Sequence, residues 1–389
     1  MENTYDVIVI GGGIHGVGVA QAVAADGYSV LVVEQTGLAA GTSSKSSKLI
    51  HGGLRYLESV EISLVRESLR ERELLLKLAP DLVRRENFFI PVYPNTTRRP
   101  WLLRTGLWTY SLLAGFKKQV RFQTVPRSEW PSLDGLNVDH VQAVFQYADA
   151  QTDDAALTRS VMRSAESIGG ELACPSELIS ATVRPDRVAA RIESAGKTYD
   201  VECQVMVNAA GPWASGVAER ITPTPPVVAV DLVQGTHLEL PGKIQKGCYY
   251  VESPVDQRAV FVMPWKGHTL VGTTELAFHG DPKNVTATEN EASYLLEVYA
   301  HYFPHRSREV LDRWAGLRVL PRASGKAFHR SRETQLPVDL ESAPRVVSVF
   351  GGKLTGYRAT AEKVMKKIHR TLPIKKPVAD TRKMKLTAD

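Results

Sequence analysis

The chain has 389 residues, with 48 Lys and Arg against 42 Asp and Glu, 43% hydrophobic residues and 23% charged residues. This ordinary globular composition excludes a disordered chain, a collagen-like fibre and a coiled coil, and the length predicts two packed domains. Three cysteines, Cys174, Cys203 and Cys248, lie far apart without a C-x-x-C pair, which argues against a disulfide scaffold and a metal site and fits a reducing, cytoplasmic compartment. We expect no signal peptide and no membrane-spanning segment.

A strand, a glycine-rich turn and a helical pattern open the chain. Residues 5–10 form an apolar, β-branched run typical of a buried parallel strand, and residues 11–16 follow as G-x-G-x-x-G. Glycines at such a turn let the backbone approach a pyrophosphate, and the following helix adds free N–H groups. Glu34 ends the second predicted strand, where a carboxylate binds ribose hydroxyls and disfavours a 2′-phosphate. The motif therefore predicts NAD or FAD rather than NADP.

A hydroxyl-rich, glycine-containing loop follows the second strand. Residues 42–57 read TSSKSSKLIHGGLRYL, where a nicotinamide enzyme usually continues into further βα units. An extended flavin needs hydroxyl and backbone donors along its length, so this loop favours FAD.

The same block resembles the flavin-side signature of FAD-dependent glycerol-3-phosphate dehydrogenases, within the D-amino-acid-oxidase-like flavoprotein superfamily. The segment FGGKLTGYR at residues 350–358 is similar to the closing segment of that family. Four further blocks appear in family order, at residues 207–213, 260–265, 272–275 and 316–318. The chain departs from the family pattern at Glu275, where Asp is common, and at Gly356, where Thr is common. From the last residue given, Asp389, we also expect it to lack the C-terminal helical domain usual in the family.

The resemblance implies an α/β fold in which a Rossmann-like FAD-binding domain is interleaved with a mainly antiparallel β-sheet substrate domain. We expect the FAD-binding domain at residues 1–80, 146–225 and 315–372, the substrate domain at 81–145 and 226–314, and a basic tail at 373–389. Asp153 or Asp154 is predicted to cap a helix that extends to Ile168. A second helix is predicted to begin after Gly352 and to aim its N–H groups at the flavin.

The reaction implied by the resemblance is oxidation of sn-glycerol 3-phosphate to dihydroxyacetone phosphate, by hydride transfer from carbon 2 to the flavin N5. His51 is the first candidate for the base that removes the hydroxyl proton, Glu275 is the second, and Arg318 is the candidate for the developing alkoxide. The residues expected to bind the phosphorylated substrate are Arg55, Tyr56, Arg318, Arg332 and Lys353. The alternative for each basic residue is a solvated surface charge, and for His51 a purely structural hydrogen bond.

The expected cofactor contacts come from the glycine motif, the hydroxyl-rich loop and the later family blocks. They are Gly11, Gly13, Ile14, His15, Gly16, Glu34, Thr42, Ser43, Ser44, Ser47, Lys48, Leu49, Gly211, Trp213, Gly352, Lys353, Leu354 and Thr355. His15 is predicted to be an exposed spacer near the pyrophosphate, and Cys203 to be core packing. Trp213 and Trp265 are predicted to be structural or to wall the pocket.

Partners follow from the chemistry and the charge pattern. The chain offers no internal cysteine relay, so the electron acceptor is expected to be external: a quinone, or oxygen in a peroxide-producing oxidase. Residues 98–118 mix aromatic, leucine and basic residues, which suits either a membrane interface or a helix that faces the core. The segment from residue 353 to 389 holds 11 Lys and Arg against 3 Asp and Glu, so the basic charge of the chain is concentrated there, where it could rest on an anionic membrane.

Other functions stay open at this point. The same fold could oxidise another hydroxy acid or an amine, or the chain could be a non-catalytic FAD-binding protein. The sequence pI near 9.1 is not accompanied by a nucleic-acid recognition motif, so we expect no nucleic-acid partner. The oligomeric state is not fixed by the sequence, and a homodimer remains one option.

Overall fold

The structure is a computed structural model that describes residues 3–57, 61–115, 122–322 and 333–388, apart from the side chain of Arg55. The strands are β1 (Thr4–Ile10), β2 (Val30–Val33), β3 (Leu49–Ile50), β4 (Val83–Val92), β5 (Gln123–Thr124), β6 (Ala143–Thr152), β7 (Gly170–Ala173), β8 (Ser176–Val183), β9 (Val188–Ser194), β10 (Lys197–Asn208), β11 (Ile221–Thr222), β12 (Val230–Leu240), β13 (Cys248–Glu252), β14 (Ala259–Trp265), β15 (His268–Gly272), β16 (Leu276–Phe278), β17 (Asp312–Pro321) and β18 (Val346–Ser348). The helices are α1 (Ile14–Ala25), α2 (Ile62–Leu78), α3 (Pro100–Leu113), α4 (Asp154–Glu166), α5 (Ala214–Glu219), α6 (Glu289–Tyr302) and α7 (Tyr357–Ile368).

The first sheet is built around five parallel strands in the order β7, β2, β1, β10, β18. Its central strands are apolar runs: every residue of β2 and all but the first residue of β1 are buried, as a sheet covered on both faces requires. The long strand β10 continues beyond this parallel part and pairs antiparallel with β9, which pairs with β8. The sheet therefore has a parallel core and an antiparallel extension.

Three helices cover one face of the parallel core. Helix α1 packs against both α4 and α7, and its valines, such as Val17 and Val23, share one hydrophobic core with Leu157 and Val364. The side chain of Asp153 accepts a hydrogen bond from the Ala156 amide at 3.1 Å, which confirms an aspartate cap at the start of α4.

The second sheet is mainly antiparallel and contains ten strands, in the order β16, β12, β15, β14, β13, β4, β6, β3, with β17 paired to β12 and β5 to β6. Strand β12 pairs with β17 along almost its whole length, from Val230 opposite Pro321 to Glu239 opposite Asp312. The one parallel pair described in this sheet joins β13 to β4. The mixed α/β architecture and the antiparallel second sheet are as predicted.

Three strands of the second, mainly antiparallel sheet come from residue ranges predicted for the FAD-binding domain. They are β3, β6 and β17, and most or all of their residues fall within those ranges. The reason is that β6 pairs with β4 and β17 with β12, partners that are distant in sequence, and hydrophobic alternation does not reveal a strand's partner. The division of the chain into domains at those residue numbers remains a prediction.

The basic tail contacts the rest of the chain at several points, although most of its side chains are exposed. Leu386 is buried, and its amide donates to the Leu78 carbonyl at 2.8 Å. The ammonium of Lys375 lies 2.7 Å from the Asp6 carboxylate. Since part of the tail's charge is already neutralised within the chain, the tail is a weaker candidate for a membrane contact than its composition alone indicates.

A buried ion pair ties α2 to α7, and we expect its loss to cost stability. The Arg358 guanidinium binds both carboxylate oxygens of Glu71, at 2.8 and 2.5 Å, and both side chains are at most 3% exposed. Replacing Glu71 by Gln should lower the free energy of unfolding by about 2 kcal/mol, because the buried guanidinium then loses its bidentate carboxylate and keeps only Glu362, at 2.6 Å, as a charged partner. Urea unfolding measures this. The matched control is Glu67→Gln on the same helix, whose pair with Lys363 is solvent-exposed and should change stability by less than about 0.5 kcal/mol.

Candidate active site

A cavity of about 1700 Å³ lies between the two sheets. Ile10, Val33 and Ala209, at or just beyond the carboxyl ends of β1, β2 and β10, line one side of it. Residues of β12 and β17 in the second sheet line the other side. A crevice at the carboxyl ends of parallel strands is where α/β sheets of this type bind ligands.

The glycine turn is shaped for close approach to a ligand. Gly11 has φ +110°, and a Cβ there would lie 2.7 Å from the Ala209 carbonyl oxygen, so only glycine fits. The Ile14 amide donates to the Ser43 hydroxyl at 2.9 Å, which joins the turn to the hydroxyl-rich loop. Gly11, Gly13, Ile14 and Ser43 all line the cavity as predicted. Gly16 does not line it, because it packs beneath the turn, where a Cβ would lie 1.9 Å from the Gly11 oxygen.

Glu34 occupies the end of β2 beside the glycine turn and lines the cavity. Its carboxylate accepts hydrogen bonds from the amides of Gly12 at 2.7 Å and Thr36 at 2.8 Å. These bonds fix the carboxylate at the place where the fingerprint requires the ribose-binding acid. The geometry fits the predicted role.

The hydroxyl-rich loop contributes only part of its polar side chains to the cavity. Thr42, Ser47 and Leu49 line the cavity, and the Thr42 hydroxyl also donates to the Leu317 carbonyl at 2.8 Å. Ser44 and Lys48, two of the predicted cofactor contacts, do not line it. The Ser44 hydroxyl turns back to the Gly41 carbonyl, and the buried Lys48 ammonium pairs with Asp154 at 2.7 Å. A buried ammonium needs a counter-charge, and Asp154 supplies it.

Four buried ring nitrogens that line this cavity have no hydrogen-bond partner within the described part of the chain. They are Nδ1 of His15, Nε1 of Trp213, Nδ1 of His237 and Nε1 of Trp314. Buried polar atoms are ordinarily paired, and the clustering of these exceptions in residues around one cavity points to a ligand-binding region. Together with the glycine turn and Glu34, this set fits a large dinucleotide cofactor.

His15 is not the exposed spacer predicted from the sequence. Its ring packs against the second glycine turn, where a Cβ on Gly352 would lie 2.5 Å from the His15 Nε2 atom. Burial lowers the pKa of His15 to about 4, so the imidazole is neutral at pH 7. Gly352, Gly211 and Leu354 also line the cavity.

His51, Tyr56 and Lys353 all line the cavity, and Tyr56 and Lys353 are in contact. The Lys353 ammonium lies 3.6 Å from the centre of the Tyr56 ring, which is close enough for a strong cation–π contact. The His51 amide donates to the Thr355 hydroxyl at 3.1 Å, so the loop that carries His51 is attached to the turn that precedes α7. An imidazole, a phenol and an ammonium thus line the same cavity.

Arg318 faces the cavity from β17 and is held in a fixed orientation. One guanidinium nitrogen lies 2.6 Å from the Glu275 carboxylate, and another donates to the Thr274 carbonyl at 2.6 Å. Glu275 also lines the cavity, and its backbone carbonyl accepts from Arg258 at 2.9 Å. One Glu275 oxygen is thus already bound by Arg318, and which residue serves as the base remains a prediction.

Two predicted substrate ligands cannot be placed. Arg332 lies outside the described residues, and only the backbone of Arg55 is described, in a short turn at Leu54–Leu57. Their roles remain predictions.

Sequence reasoning missed His237, which lines the cavity from β12. Its Nε2 atom lies 3.0 Å from the Ser47 hydroxyl, and its ring stacks on Trp314 with 5.9 Å between centres. Arg258, Tyr250 and Phe261 also line the cavity unpredicted. All of them lie in or beside strands of the second sheet, where alternation marks a strand but not which strand face meets a ligand.

Buried His237 should make stability pH-dependent. Burial, with help from Lys48 and Arg318, lowers its pKa from 6.5 to about 3. The unfolded state therefore binds a proton between pH 6.5 and 3 that the native state does not, so stability falls as pH falls through that window. Between pH 7 and pH 5 the wild-type protein should lose about 2 kcal/mol more of its unfolding free energy than the His237→Gln variant loses. Urea unfolding of both proteins with excess dinucleotide cofactor measures this. His305→Gln, at an exposed site, is the control and should leave the loss unchanged.

Helices of the described residues include none that is both long and apolar enough to cross a membrane.

Comparisons with known proteins show the family to which the chain belongs. The family model described as "FAD dependent oxidoreductase" (DAO) matches residues 6–359. The chain is 37% identical over 381 residues to the aerobic glycerol-3-phosphate dehydrogenase of Escherichia coli, covering 94% of this chain and 73% of that protein. It is 35% identical over 376 residues to the D-erythritol 1-phosphate dehydrogenase of Brucella abortus, covering 95% of this chain and 74% of that protein.

Two solved structures share the fold. The glycerol-3-phosphate dehydrogenase of Bacillus halodurans, complexed with FAD, superposes with a TM-score of 0.78 at 24% identity, covering 99% of this chain and 68% of that chain. The L-α-glycerophosphate oxidase of Mycoplasma pneumoniae, with FAD bound, gives a TM-score of 0.76 at 17% identity and covers both chains fully.

Proposed function

The chain belongs to the FAD-dependent oxidoreductases, in the family of the glycerol-3-phosphate dehydrogenases, with FAD as its cofactor, and from this we propose that it oxidises sn-glycerol 3-phosphate to dihydroxyacetone phosphate and passes the electrons to a quinone. The observation that supports this best is the conjunction of His51, Lys353 and Arg318 on the walls of one cavity with the dinucleotide site. The cavity thereby offers a base and two cations beside the proposed binding site of the flavin.

The cations have a direct chemical purpose. Glycerol 3-phosphate carries a phosphate dianion, and ammonium and guanidinium groups bind phosphate oxygens by charge and by hydrogen bonding. Lys353, fixed against the Tyr56 ring, supplies one such group. Arg55 and Arg332 are proposed to complete the clamp, on the basis of the family resemblance.

Oxidation of carbon 2 removes a hydride and the hydroxyl proton. FAD, when bound, supplies the hydride acceptor. His51 is proposed to take the proton from the hydroxyl, because imidazole accepts protons near neutral pH and this side chain lines the cavity. Arg318 is proposed to stabilise the negative charge that develops on the same oxygen. Guanidinium remains protonated throughout, so Arg318 acts by charge and not as a base.

The test is an anaerobic titration of the purified holoenzyme. Glycerol 3-phosphate should bleach the flavin absorbance in one turnover, and a quinone analogue should restore it with catalytic turnover. If air reoxidises the reduced flavin as fast as the quinone analogue does, with release of hydrogen peroxide, the protein is instead an oxidase. If no bleaching follows, the proposed activity is wrong, and the non-catalytic alternative gains support.

A longer polyol phosphate is the second candidate substrate, since a relative named for D-erythritol 1-phosphate is 35% identical, close to the 37% of the glycerol-3-phosphate dehydrogenases. Both substrates present a phosphate and a secondary alcohol. The same titration with D-erythritol 1-phosphate, compared by the ratio of the two kcat/KM values, decides between them.

The apolar face of α3 supports a membrane site where the quinone would be reached. Trp101 and Trp108 are 69% and 53% exposed, and Leu102 and Leu112 are also exposed, while Leu103, Leu107 and Tyr110 are buried. The helix therefore faces both the core and the surface, where a stripe of tryptophan and leucine suits a lipid interface.

Vesicle sedimentation tests the membrane proposal. Trp101→Ser/Trp108→Ser should lower binding to vesicles of anionic phospholipid and slow turnover with a membrane quinone, with no change in anaerobic flavin reduction. The control is Val227→Ser/Leu340→Ser, at two exposed apolar residues elsewhere on the surface. Equal binding by both double variants would contradict the assignment of α3.

A further inference from the structure

We propose that the Tyr110 hydroxyl, held by the buried Arg72–Asp149 pair, is a positioning group that sets the place of His51 in the active site. The inference rests on the role of His51 as base proposed above, and it extends that role to three side chains that do not line the cavity.

The contact lies at Gly52, the residue directly after His51. Its amide donates to the Tyr110 hydroxyl at 2.9 Å and, over a longer distance of 3.4 Å, to an oxygen of Asp149. The Tyr110 hydroxyl in turn donates to the other oxygen of Asp149 at 2.7 Å. The backbone that carries His51 is thus bound to a buried phenol and a buried carboxylate.

The carboxylate is fixed by an arginine from a third element. The Arg72 guanidinium lies 2.5 Å from Asp149 and donates to the Ala148 carbonyl at 3.1 Å. Arg72, Tyr110 and Asp149 are each at most 1% exposed. They come from α2, α3 and β6, so three elements converge on one backbone amide. A buried carboxylate with an arginine partner and two further donors is a rigid anchor, because any shift of the carboxylate would leave buried charge unpaired.

The protonation state of the phenol suits this arrangement. Burial and the neighbouring Asp149 raise the pKa of Tyr110 well above its usual 10. The hydroxyl therefore keeps its proton, donates it to Asp149 and leaves a lone pair for the Gly52 amide.

The loop that carries His51 is also in contact with Thr355 and Leu69 on its other sides. The His51 amide donates to Thr355 at 3.1 Å, on the face formed by the turn before α7. A Cβ on Gly52 would collide with the Tyr110 hydroxyl and lie 2.6 Å from Leu69. His51 is therefore bracketed between Thr355 and Tyr110. Displacement of a reacting group by about 1 Å costs roughly 100-fold in rate, so this bracket bears directly on catalysis.

The first measurement is flavin reduction of the Tyr110→Phe holoenzyme by glycerol 3-phosphate under anaerobic conditions. The limiting reduction rate should fall by about 10- to 100-fold, while the substrate dissociation constant changes by less than about three-fold. The control is Tyr302→Phe, which removes another buried tyrosine hydroxyl, one that donates to the Glu252 carbonyl at 2.6 Å, and this variant should be reduced at the wild-type rate. An unchanged rate in Tyr110→Phe would overturn the inference.

A double-mutant cycle with His51→Asn separates positioning from a general loss of structure. If Tyr110 acts through His51, adding Tyr110→Phe to the His51→Asn variant should cause no further loss of rate. Equal losses in the wild-type and His51→Asn backgrounds would show that Tyr110 acts otherwise, and would overturn the inference. A His51→Asn variant that reduces flavin at the wild-type rate would instead refute the base assignment, and with it a role for Tyr110 through His51.

A second variant serves if Tyr110→Phe does not fold, as judged by thermal unfolding and FAD content. Thr355→Val removes the opposite hydroxyl of the bracket and should lose more reduction rate than Thr355→Ser, which keeps a hydroxyl. The loss of reduction rate caused by Thr355→Val should likewise vanish in the His51→Asn background. A loss that persists there would count against a bracket that acts on His51.

Discussion

Replacing Arg318 by Ala should lower kcat/KM for glycerol 3-phosphate by about 100- to 1000-fold while the protein keeps its FAD. The guanidinium is 19% exposed and is held by Glu275 and the Thr274 carbonyl, so it faces the cavity in one orientation and is ready for developing negative charge. Steady-state kinetics and the flavin absorbance of the purified variant measure the two quantities. Arg322→Ala is the control: it removes an exposed arginine immediately after β17 and should leave kcat/KM unchanged.

A second variant separates loss of the substrate's cation from damage to the site. Arg318→Ala leaves the Glu275 carboxylate, which is 9% exposed, without this partner, and that alone could disturb the cavity. Arg318→Ala/Glu275→Gln removes both charges. If Arg318 serves the substrate, the double variant stays as slow as the single one. Recovery to near the wild-type rate would show that Arg318 serves only to neutralise Glu275.

Gly16→Ala should yield a protein that retains little or no FAD. A Cβ at this position would lie 1.9 Å from the Gly11 carbonyl oxygen, so the glycine turn must move out of the conformation that admits a pyrophosphate. We expect FAD affinity to fall by at least about 100-fold, measured as the fraction of flavin that co-elutes with the protein in gel filtration.

Gly106→Ala is the matched control for that substitution. Gly106 lies within α3, and no atom lies within 4 Å of an added Cβ, so the variant should keep full FAD and gain about 0.5 to 1 kcal/mol of helix stability. Circular dichroism of both variants establishes that each is folded. A Gly16→Ala protein with a full complement of flavin would contradict the steric argument.

Local motifs made the dinucleotide half of the site predictable. The glycine turn, Glu34 and the hydroxyl-rich loop are each short stretches of sequence whose function depends on backbone conformation and on the chemistry of adjacent residues. Gly11, Glu34, Thr42 and Ser47 all line the cavity as expected. Within these stretches Ser44, Lys48 and Gly16 do not line the cavity, and their contact with the cofactor remains a prediction. A motif gives the spacing of residues along the chain, and the direction of each side chain depends on what packs around it.

The arrangement of the substrate half of the site depends on pairings between segments that are distant in sequence. Sequence reasoning named Lys353 and Tyr56 separately, but only the fold places the ammonium over the ring. His237 looked like any residue of an alternating strand until the second sheet placed it against Ser47. The Arg318–Glu275 pair likewise needs β17 to lie beside β12, a neighbour that hydrophobic alternation does not specify.

The sequence by itself determined the cofactor, the fold class and the identity of most candidate site residues, because contiguous motifs and glycine conformations are local properties of the chain. Only the tertiary structure decided which charged side chains face the cavity and which, like Lys48 and Arg72, are buried with a counter-charge. The physical reason is that desolvation and ion pairing depend on neighbours brought together by long-range strand pairing and helix packing. The anchor of Tyr110, Asp149 and Arg72 behind His51 is visible at that level alone.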